Sequence, residues 1–343
     1  MHTFASPMRH ALKNAPQKLA VVSGERTFTY AEFNHRCERL VGALRALGIE
    51  HGDRVAILSN NSHEYLESYV AVPAAGMVIV PLNTRHADPE LRYALTDSGA
   101  RVLICDRDPG ELSNLVEHVI LCGTDFDAAL AAAEPAALGE GVTEDDLAGL
   151  FYTGGTTGKS KGVMLTHRNL IANAQHWMMS APQTPADVFL IIAPLFHAAG
   201  SNGVLGSIWT LGTQVTLGAF DPGVALDLVE RYAATATLGV PTMLAAIAET
   251  QAVTPRDTSS MRLIAHGGSP IATEVVRRTA QAFPSAELME VYGATETAPL
   301  CTVLPGEQDL IESDLARSCG RPVIGCDISI CAEDGSELPA GEI

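Results

Sequence analysis

The sequence predicts an α/β protein: two parallel-sheet αβα subdomains, with a small antiparallel β element near the C-terminus. Three observations carry this. Short apolar runs alternate with helical stretches along most of the chain, the pattern of parallel strands covered by helices on both faces. The 343 residues exceed what one hydrophobic core serves, since cores split beyond about 250–300 residues, so two or three packed subdomains are expected. From Leu310 the apolar runs shorten and are broken by Gly320, Pro322, Gly325, Asp334-Gly335 and Pro339, which points to antiparallel β over 316–343.

The elements follow in order. Residues 19–22 and 27–30 flank Ser-Gly-Glu-Arg and predict a hairpin. Residues 31–47 have helical periodicity and stop at Gly48, a natural C-terminal stop. A strand at 54–59, a helix at 62–75 and a strand at 77–81 come next. Residues 88–98 predict a helix with Asp88 as N-cap and Pro89 in its first turn, and 101–105 a strand. The Ala-rich 127–141 predicts a surface helix and connector. Further on, helices at 221–233 and 271–283 alternate with strands at 236–240, 262–265 and 287–292. No repeat of 20–50 residues is visible.

Residues 188–220 contain no Asp, Glu, Lys or Arg. Five glycines, Pro194, His197 and Asn202 interrupt them, so they predict strand, loop, helix and strand in a buried core rather than a membrane span. The N-terminus has no apolar segment of the kind a secretory signal needs. Hydrophobic residues make up 47% and charged residues 18%, which excludes a disordered chain. A net charge of −18 with no Lys/Arg run argues against nucleic-acid binding. Seven cysteines without a C-x-x-C pattern predict free, mostly buried thiols in a reducing cytoplasm.

The strongest local signal is LFYTGGTTGKSKG at 150–162. An apolar run feeds a loop of Gly, Thr and Lys. Glycine lets backbone approach a polyphosphate closely, and successive N–H groups can converge on one anion. Residues 153–160 also approach the Walker A pattern, with Thr153 in place of its first Gly. That pattern wants a helix straight after Lys-Ser, whereas the residues from Ser160 onward look extended. The strand at 189–193 also lacks a terminal Asp for magnesium.

Four further blocks stand in order: LTHRNL at 165–170, PLFH at 194–197, HGGSP at 266–270 and VYGATE at 291–296. With the loop, they resemble the AMP-forming acyl-CoA synthetases of the adenylate-forming superfamily, from about residue 19 to the end. Two departures stand out. Ser160 occupies the place of the Pro that usually precedes the loop's Lys. Ser201 stands four residues after His197, where long-chain members often carry an aromatic gate.

The resemblance implies a two-step reaction. A carboxylic acid attacks the α-phosphate of ATP, giving acyl-AMP and pyrophosphate, and the thiol of coenzyme A then takes the acyl group. Thr153, Gly154, Gly155, Thr156, Thr157, Gly158 and Lys161 would cradle the β- and γ-phosphates. Glu296 would hold Mg²⁺ and Thr295 would bond the α-phosphate. Gly267, Gly268 and Ser269, with Glu290, Val291 and Gly293, would frame the adenine, and the Tyr292 ring would lie on its face. His197 would sit beside the incoming carboxylate. Residues 200–205 and 240–244, with Gly293 and Ala294, would wall an apolar acid pocket.

By the same resemblance, residues 1–343 are expected to be a large N-terminal adenylate-forming domain. Its αβα subdomains would run to about 305, followed by an incomplete β-rich segment at 310–343. A ribose-binding Asp, then a hinge, then a small C-terminal domain with a catalytic Lys would lie beyond it. The chain alone is then expected to be inactive or weakly active. A homodimer, an acyl-carrier protein as acceptor, and a non-catalytic nucleotide-binding module all stay open.

Overall fold

The computed structural model describes residues 2–154 and 160–342. Its strands are β1 (Leu19–Ser23), β2 (Arg26–Thr29), β3 (Arg54–Leu58), β4 (Val78–Pro81), β5 (Val102–Cys105), β6 (His118–Leu121), β7 (Leu147–Thr153), β8 (Lys161–Thr166), β9 (Val188–Ile191), β10 (Thr213–Thr216), β11 (Ala236–Gly239), β12 (Leu263–Gly267), β13 (Glu287–Tyr292), β14 (Thr302–Pro305) and β15 (Arg321–Pro322). The helices are α1 (Ala5–Asn14), α2 (Tyr30–Ala46), α3 (His63–Ala74), α4 (Asp88–Ser98), α5 (Thr124–Ala132), α6 (His167–Ser180), α7 (Ala198–Trp209), α8 (Pro222–Tyr232), α9 (Pro241–Val253) and α10 (Thr273–Ala282).

Two sheets organise the chain. The larger has the order β15-β14-β13-β12-β11-β9-β10-β1-β2, and the smaller β6-β5-β3-β4-β7-β8. Both are parallel through their middle; β2, β8, β14 and β15 pair antiparallel at three of the edges, and β6 forms a parallel fourth edge. The expected α/β class with two parallel sheets and antiparallel strands near the C-terminus is therefore observed.

Period-two alternation explains the layering. In β3, Val55 and Ile57 face the layer between the sheets, while Ala56 and Leu58 face the outside with Leu91 and Leu95 of α4. The middle layer holds residues from α1, α2, α3, α6 and α7 together with side chains of both sheets, so the two sheets share one core. Helices α8, α9 and α10 cover the outer face of the larger sheet through residues such as Leu226, Leu244 and Val276. Both faces of each sheet are apolar, which is why the strands read as near-continuous hydrophobic runs.

Several expectations are corrected. Ala87, not Asp88, is the N-cap of α4, because the Glu90 carboxylate reaches back to accept from the Ala87 N–H at 2.9 Å. Cysteines are not mostly buried: Cys37 and Cys105 are, whereas Cys319 and Cys331 are exposed and the other three half-buried. The Ala-rich stretch holds only the end of α5, which starts earlier and buries Phe126 and Leu130. Helix α1 and strands β6 and β14 have no counterpart among the sequence expectations.

Antiparallel β over 316–342 is far shorter than expected. It comprises β15, paired with β14, and one bridge between Cys331 and Glu337 around the Asp334-Gly335 turn. Ile324, Ile328 and Ile330 are exposed, and a two-stranded ribbon with no covered apolar face is marginal. No helix among the described residues is long and apolar enough to cross a membrane.

Candidate active site

The chain leaves β9 for β10 on one side, through α7, and then crosses through α8 to β11 on the other side of β9. In open parallel sheets the crevice beyond the strand C-termini at such a reversal is where ligands bind. A cavity of about 330 Å³ lies there. The residues that follow β9, β11, β12 and β13 line it, with additions from α6 and α7.

The segment after β9 carries Pro194 and His197. His197 is the N-cap of α7, and its carbonyl accepts from the Gly200 N–H at 2.9 Å. Its ring opens into the cleft. Desolvation by the surrounding protein, and then the positive fields of Arg85 and His86, hold its pKa below the ordinary value. Gly200 is dictated by packing: a Cβ there would lie 2.2 Å from the Pro194 carbonyl oxygen.

Strand β12 delivers the first glycine ledge. Gly267 is buried, and a Cβ on it would sit 2.1 Å from the Val291 carbonyl oxygen. Gly268 turns outward at φ +80°, with open space beside it. Below this ledge His266 Nε2 meets Glu307 Oε2 at 2.5 Å, with both side chains almost fully buried. Glu290, opposite His266 in the sheet register, has its pKa raised by burial and then by the Glu307 charge, with His266 opposing.

Strand β13 delivers the second face. Val291, Tyr292, Gly293, Ala294 and Thr295 line the cavity, and the Tyr292 ring is half exposed at its mouth. The backbone of this segment doubles back so tightly that a Cβ on Gly293 would lie 1.5 Å from the Pro299 carbonyl oxygen. Thr295 and Glu296 occupy a single 3₁₀ turn, Thr295–Thr297, and Glu296 is exposed to solvent. The Thr297 hydroxyl closes that turn by accepting from the Ala294 N–H at 3.0 Å. Buried Asn173 of α6 fixes the segment from behind, donating to the Leu300 carbonyl at 2.9 Å and accepting from its N–H at 3.1 Å.

The neck of the glycine-rich loop belongs to the other sheet. Thr153 ends β7 and pairs in register with Lys161, the first residue of β8. Ser160 Oγ donates to the Thr153 carbonyl at 2.6 Å. Strand β8 packs against the turn that carries Thr295 and Glu296, so the loop neck and the acidic turn are neighbours. Gly155, Thr156, Thr157, Gly158 and Lys159 lie outside the described residues.

This arrangement matches known proteins along its whole length. The AMP-binding enzyme family matches residues 8–343. The chain belongs to the AMP-binding enzyme family. Feruloyl-CoA synthase from Amycolatopsis sp is 38% identical over 338 residues, covering 98% of this chain and 67% of that protein. A CoA ligase for a methyl-dioxo-octahydroindenyl propanoate from Mycobacterium tuberculosis is 30% identical over 362 residues, covering 99% of this chain and 71% of that protein. The N-terminal domain of FACL13 from Mycobacterium tuberculosis superposes with a TM-score of 0.88 at 27% identity, covering 98% of this chain and 86% of that one. ATP-bound MatB from Rhodopseudomonas palustris gives 0.85 at 31% identity, with 99% and 69% covered. The chain thus spans about two thirds of the length of the full-length relatives.

Within this AMP-binding enzyme the structure gathers His197, Gly267, Gly268, Val291, Tyr292, Gly293 and Thr295 around one cavity. Ser269, Glu290 and Glu296 stand next to lining residues without lining it themselves. Thr153, Gly154 and Lys161 sit at the loop neck on the opposite sheet.

The expected acid-pocket wall needs correction. Gly200 and Val240 line the cavity, but Val204 and Leu205 turn into the shared core and Met243 and Leu244 into the outer one, because helical periodicity carries them to other faces. Ser201 is fully buried and donates to the Ala198 carbonyl at 3.1 Å instead of gating the pocket. The wall is completed by Trp177, Leu238, Pro299 and Leu300, which sequence reasoning missed. Trp177 continues the apolar stripe of Leu170 and Ala174, so its pattern is indistinguishable from that of a core residue.

Proposed function

We propose that this chain supplies the ATP, Mg²⁺ and acid pockets of an acid–thiol ligase that makes acyl-AMP and then an acyl-CoA thioester. One observation carries the reading. A single cavity is lined both by glycines and Tyr292, suited to a purine, and by apolar side chains, suited to an acyl or aryl group, with His197 in the same lining. Residues 1–343 would act as the large adenylate-forming domain.

In the first half-reaction a carboxylate oxygen attacks the α-phosphorus of ATP and pyrophosphate departs. Two anions must meet in line, so the protein's task is orientation and charge neutralisation. Thr295, at the cavity edge, is placed to bond the α-phosphate. Gly267 and Gly268 let the backbone run close along the adenine, and the Tyr292 ring gives it a flat apolar face. Thr153, Lys161 and the intervening glycine-rich segment would hold the β- and γ-phosphates. The exposed Glu296 carboxylate suits a hard cation that keeps waters and shares phosphate oxygens, and Mg²⁺ held there would neutralise charge on the departing pyrophosphate.

In the second half-reaction the coenzyme A sulfur attacks the acyl carbon and AMP leaves. The lining contains no Asp, Glu, Lys or Arg among the described residues, so the acyl group would react in apolar surroundings.

The relatives' names span feruloyl, coumaroyl and fatty acids, and one names an acyl-carrier protein as acceptor. Acid-dependent exchange of labelled pyrophosphate into ATP tests the reading in the natural protein. Exchange that requires a carboxylic acid supports it. ATP hydrolysis without acid, and no exchange across aryl and fatty acids, removes it. Comparing coenzyme A with a pantetheinylated carrier protein then decides the acceptor.

A further inference from the structure

We infer that Trp177 sets the depth of the acid pocket, and that the acid it admits is compact, a single aromatic ring or a short chain, with no charge beyond its reacting carboxylate. The inference rests on the proposed function. It comes from the apolar part of the cavity lining.

Trp177 is 1% exposed and lines the cavity together with Leu238, Val240 and Leu300. Its ring is packed against two neighbours. Phe189 meets it edge-on with ring centroids 6.3 Å apart. Helix α7 comes so close that a Cβ on Gly206 would lie 3.1 Å from Trp177 Cδ1. An indole held this way does not swing aside for a longer ligand, because packed interiors move in discrete steps and not by gradual deformation.

The side wall is equally fixed. Gly239 lines the cavity with backbone alone, and its Cβ position faces the outer core, 3.1 Å from Ile192 Cδ1. The same cavity, about 330 Å³ in all, also borders the nucleotide side, so the acid receives only part of it. Its lining contains no Asp, Glu, Lys or Arg, and His197 and Tyr292 are its titratable side chains among the described residues. A second carboxylate or an ammonium on the acid would be buried there without a partner, at a cost of several kcal/mol.

The test is calorimetric titration of the protein with hydrolysis-resistant acyl-adenylate analogues carrying benzoyl, hexanoyl, palmitoyl and adipoyl groups. Wild type is expected to bind the benzoyl or hexanoyl analogue at least about tenfold more tightly than the palmitoyl and adipoyl ones, the scale on which an ill-fitting pocket discriminates. Trp177→Ala should narrow or invert the benzoyl-to-palmitoyl ratio by about tenfold. Trp177→Leu, which keeps an apolar side chain in the core, is measured alongside so that a folding defect in the first variant does not decide the matter. A wild-type preference for palmitoyl or adipoyl, or an unchanged ratio in the folded variants, overturns the inference and leaves the proposed function standing. Binding of no analogue by wild type overturns the proposed function and this inference with it.

Discussion

Ser160 Oγ donates a hydrogen bond of 2.6 Å to the Thr153 carbonyl, closing the neck of the glycine-rich loop where β7 and β8 separate. A ring-locked proline usually stands at this place in the resembling loops. Here a hydroxyl does the fixing, through a bond to the other strand. Ser160→Ala is expected to raise the KM for ATP by about two- to tenfold, the equivalent of one neutral hydrogen bond, with a smaller change in kcat. Ser160→Pro should restore most of the loss, because proline stiffens the same residue without the bond. Steady-state kinetics at saturating acid checks both. A loss that Pro deepens would place the importance of Ser160 elsewhere.

Two neighbouring glycines should respond very differently to alanine. A methyl on Gly293 would fall 1.5 Å from the Pro299 carbonyl oxygen, so the whole segment bearing Tyr292 and Thr295 must shift. Gly293→Ala should cost at least about 3 kcal/mol of stability, the upper end for overpacking a core, and weaken nucleotide binding with it. Gly268 has open space beside it and only its φ of +80° to oppose a side chain. Gly268→Ala should cost about 1–2 kcal/mol, the penalty for a left-handed L-residue. Urea unfolding of the two variants gives the comparison.

His167 makes stability depend on pH. Its buried Nδ1 accepts from the Phe4 N–H at 3.2 Å, a bond that requires the unprotonated nitrogen. Burial pushes its pKa from 6.5 down to about 4, with Asp146 opposing. The unfolded chain takes up this proton as pH falls below 6.5, whereas the folded chain resists until about 4. Its contribution is therefore fully present above 6.5 and lost on the way down to 4, amounting to roughly 3 kcal/mol. His167→Gln keeps an acceptor without the titration. It should flatten the fall in unfolding free energy between those two pH values, and an unchanged slope would assign the fall to other groups.

Glu296 separates the two half-reactions. Its carboxylate sits in the turn beside Thr295, and its proposed role concerns only the departing pyrophosphate. Glu296→Ala is expected to slow acyl-AMP formation by at least about a hundredfold, the scale of losing one preorganised electrostatic contact. Thioester formation from supplied acyl-AMP should change far less. Equal losses in single-turnover measurements of both halves would remove that role.

The strand–helix alternation was legible because parallel strands buried on both faces leave continuous apolar runs, and 188–220 read correctly as strand, helix and strand for that reason. The four-residue strands His118–Leu121 and Thr302–Pro305 were not legible, since they are too short to show a period and their pairing comes from neighbours distant in sequence. The site motifs announced themselves through glycines whose Cβ positions are occupied by backbone, at Gly200, Gly267 and Gly293. Trp177 and Asn173 stayed hidden. One continues an apolar helix stripe, and the other acts through bonds to Leu300, more than a hundred residues away. Neither role has a local pattern.

One cavity is proposed to hold both halves of an acyl-adenylate. A crystal structure of the protein with a hydrolysis-resistant benzoyl-adenylate bound is the decisive measurement. The adenine is expected between the Gly267–Gly268 backbone and the Tyr292 ring, the phosphate surrogate beside Thr295, and the benzoyl ring against Leu300 and Trp177. Adenine seated in the Trp177 end, or a ligand bound away from this cleft, would contradict it.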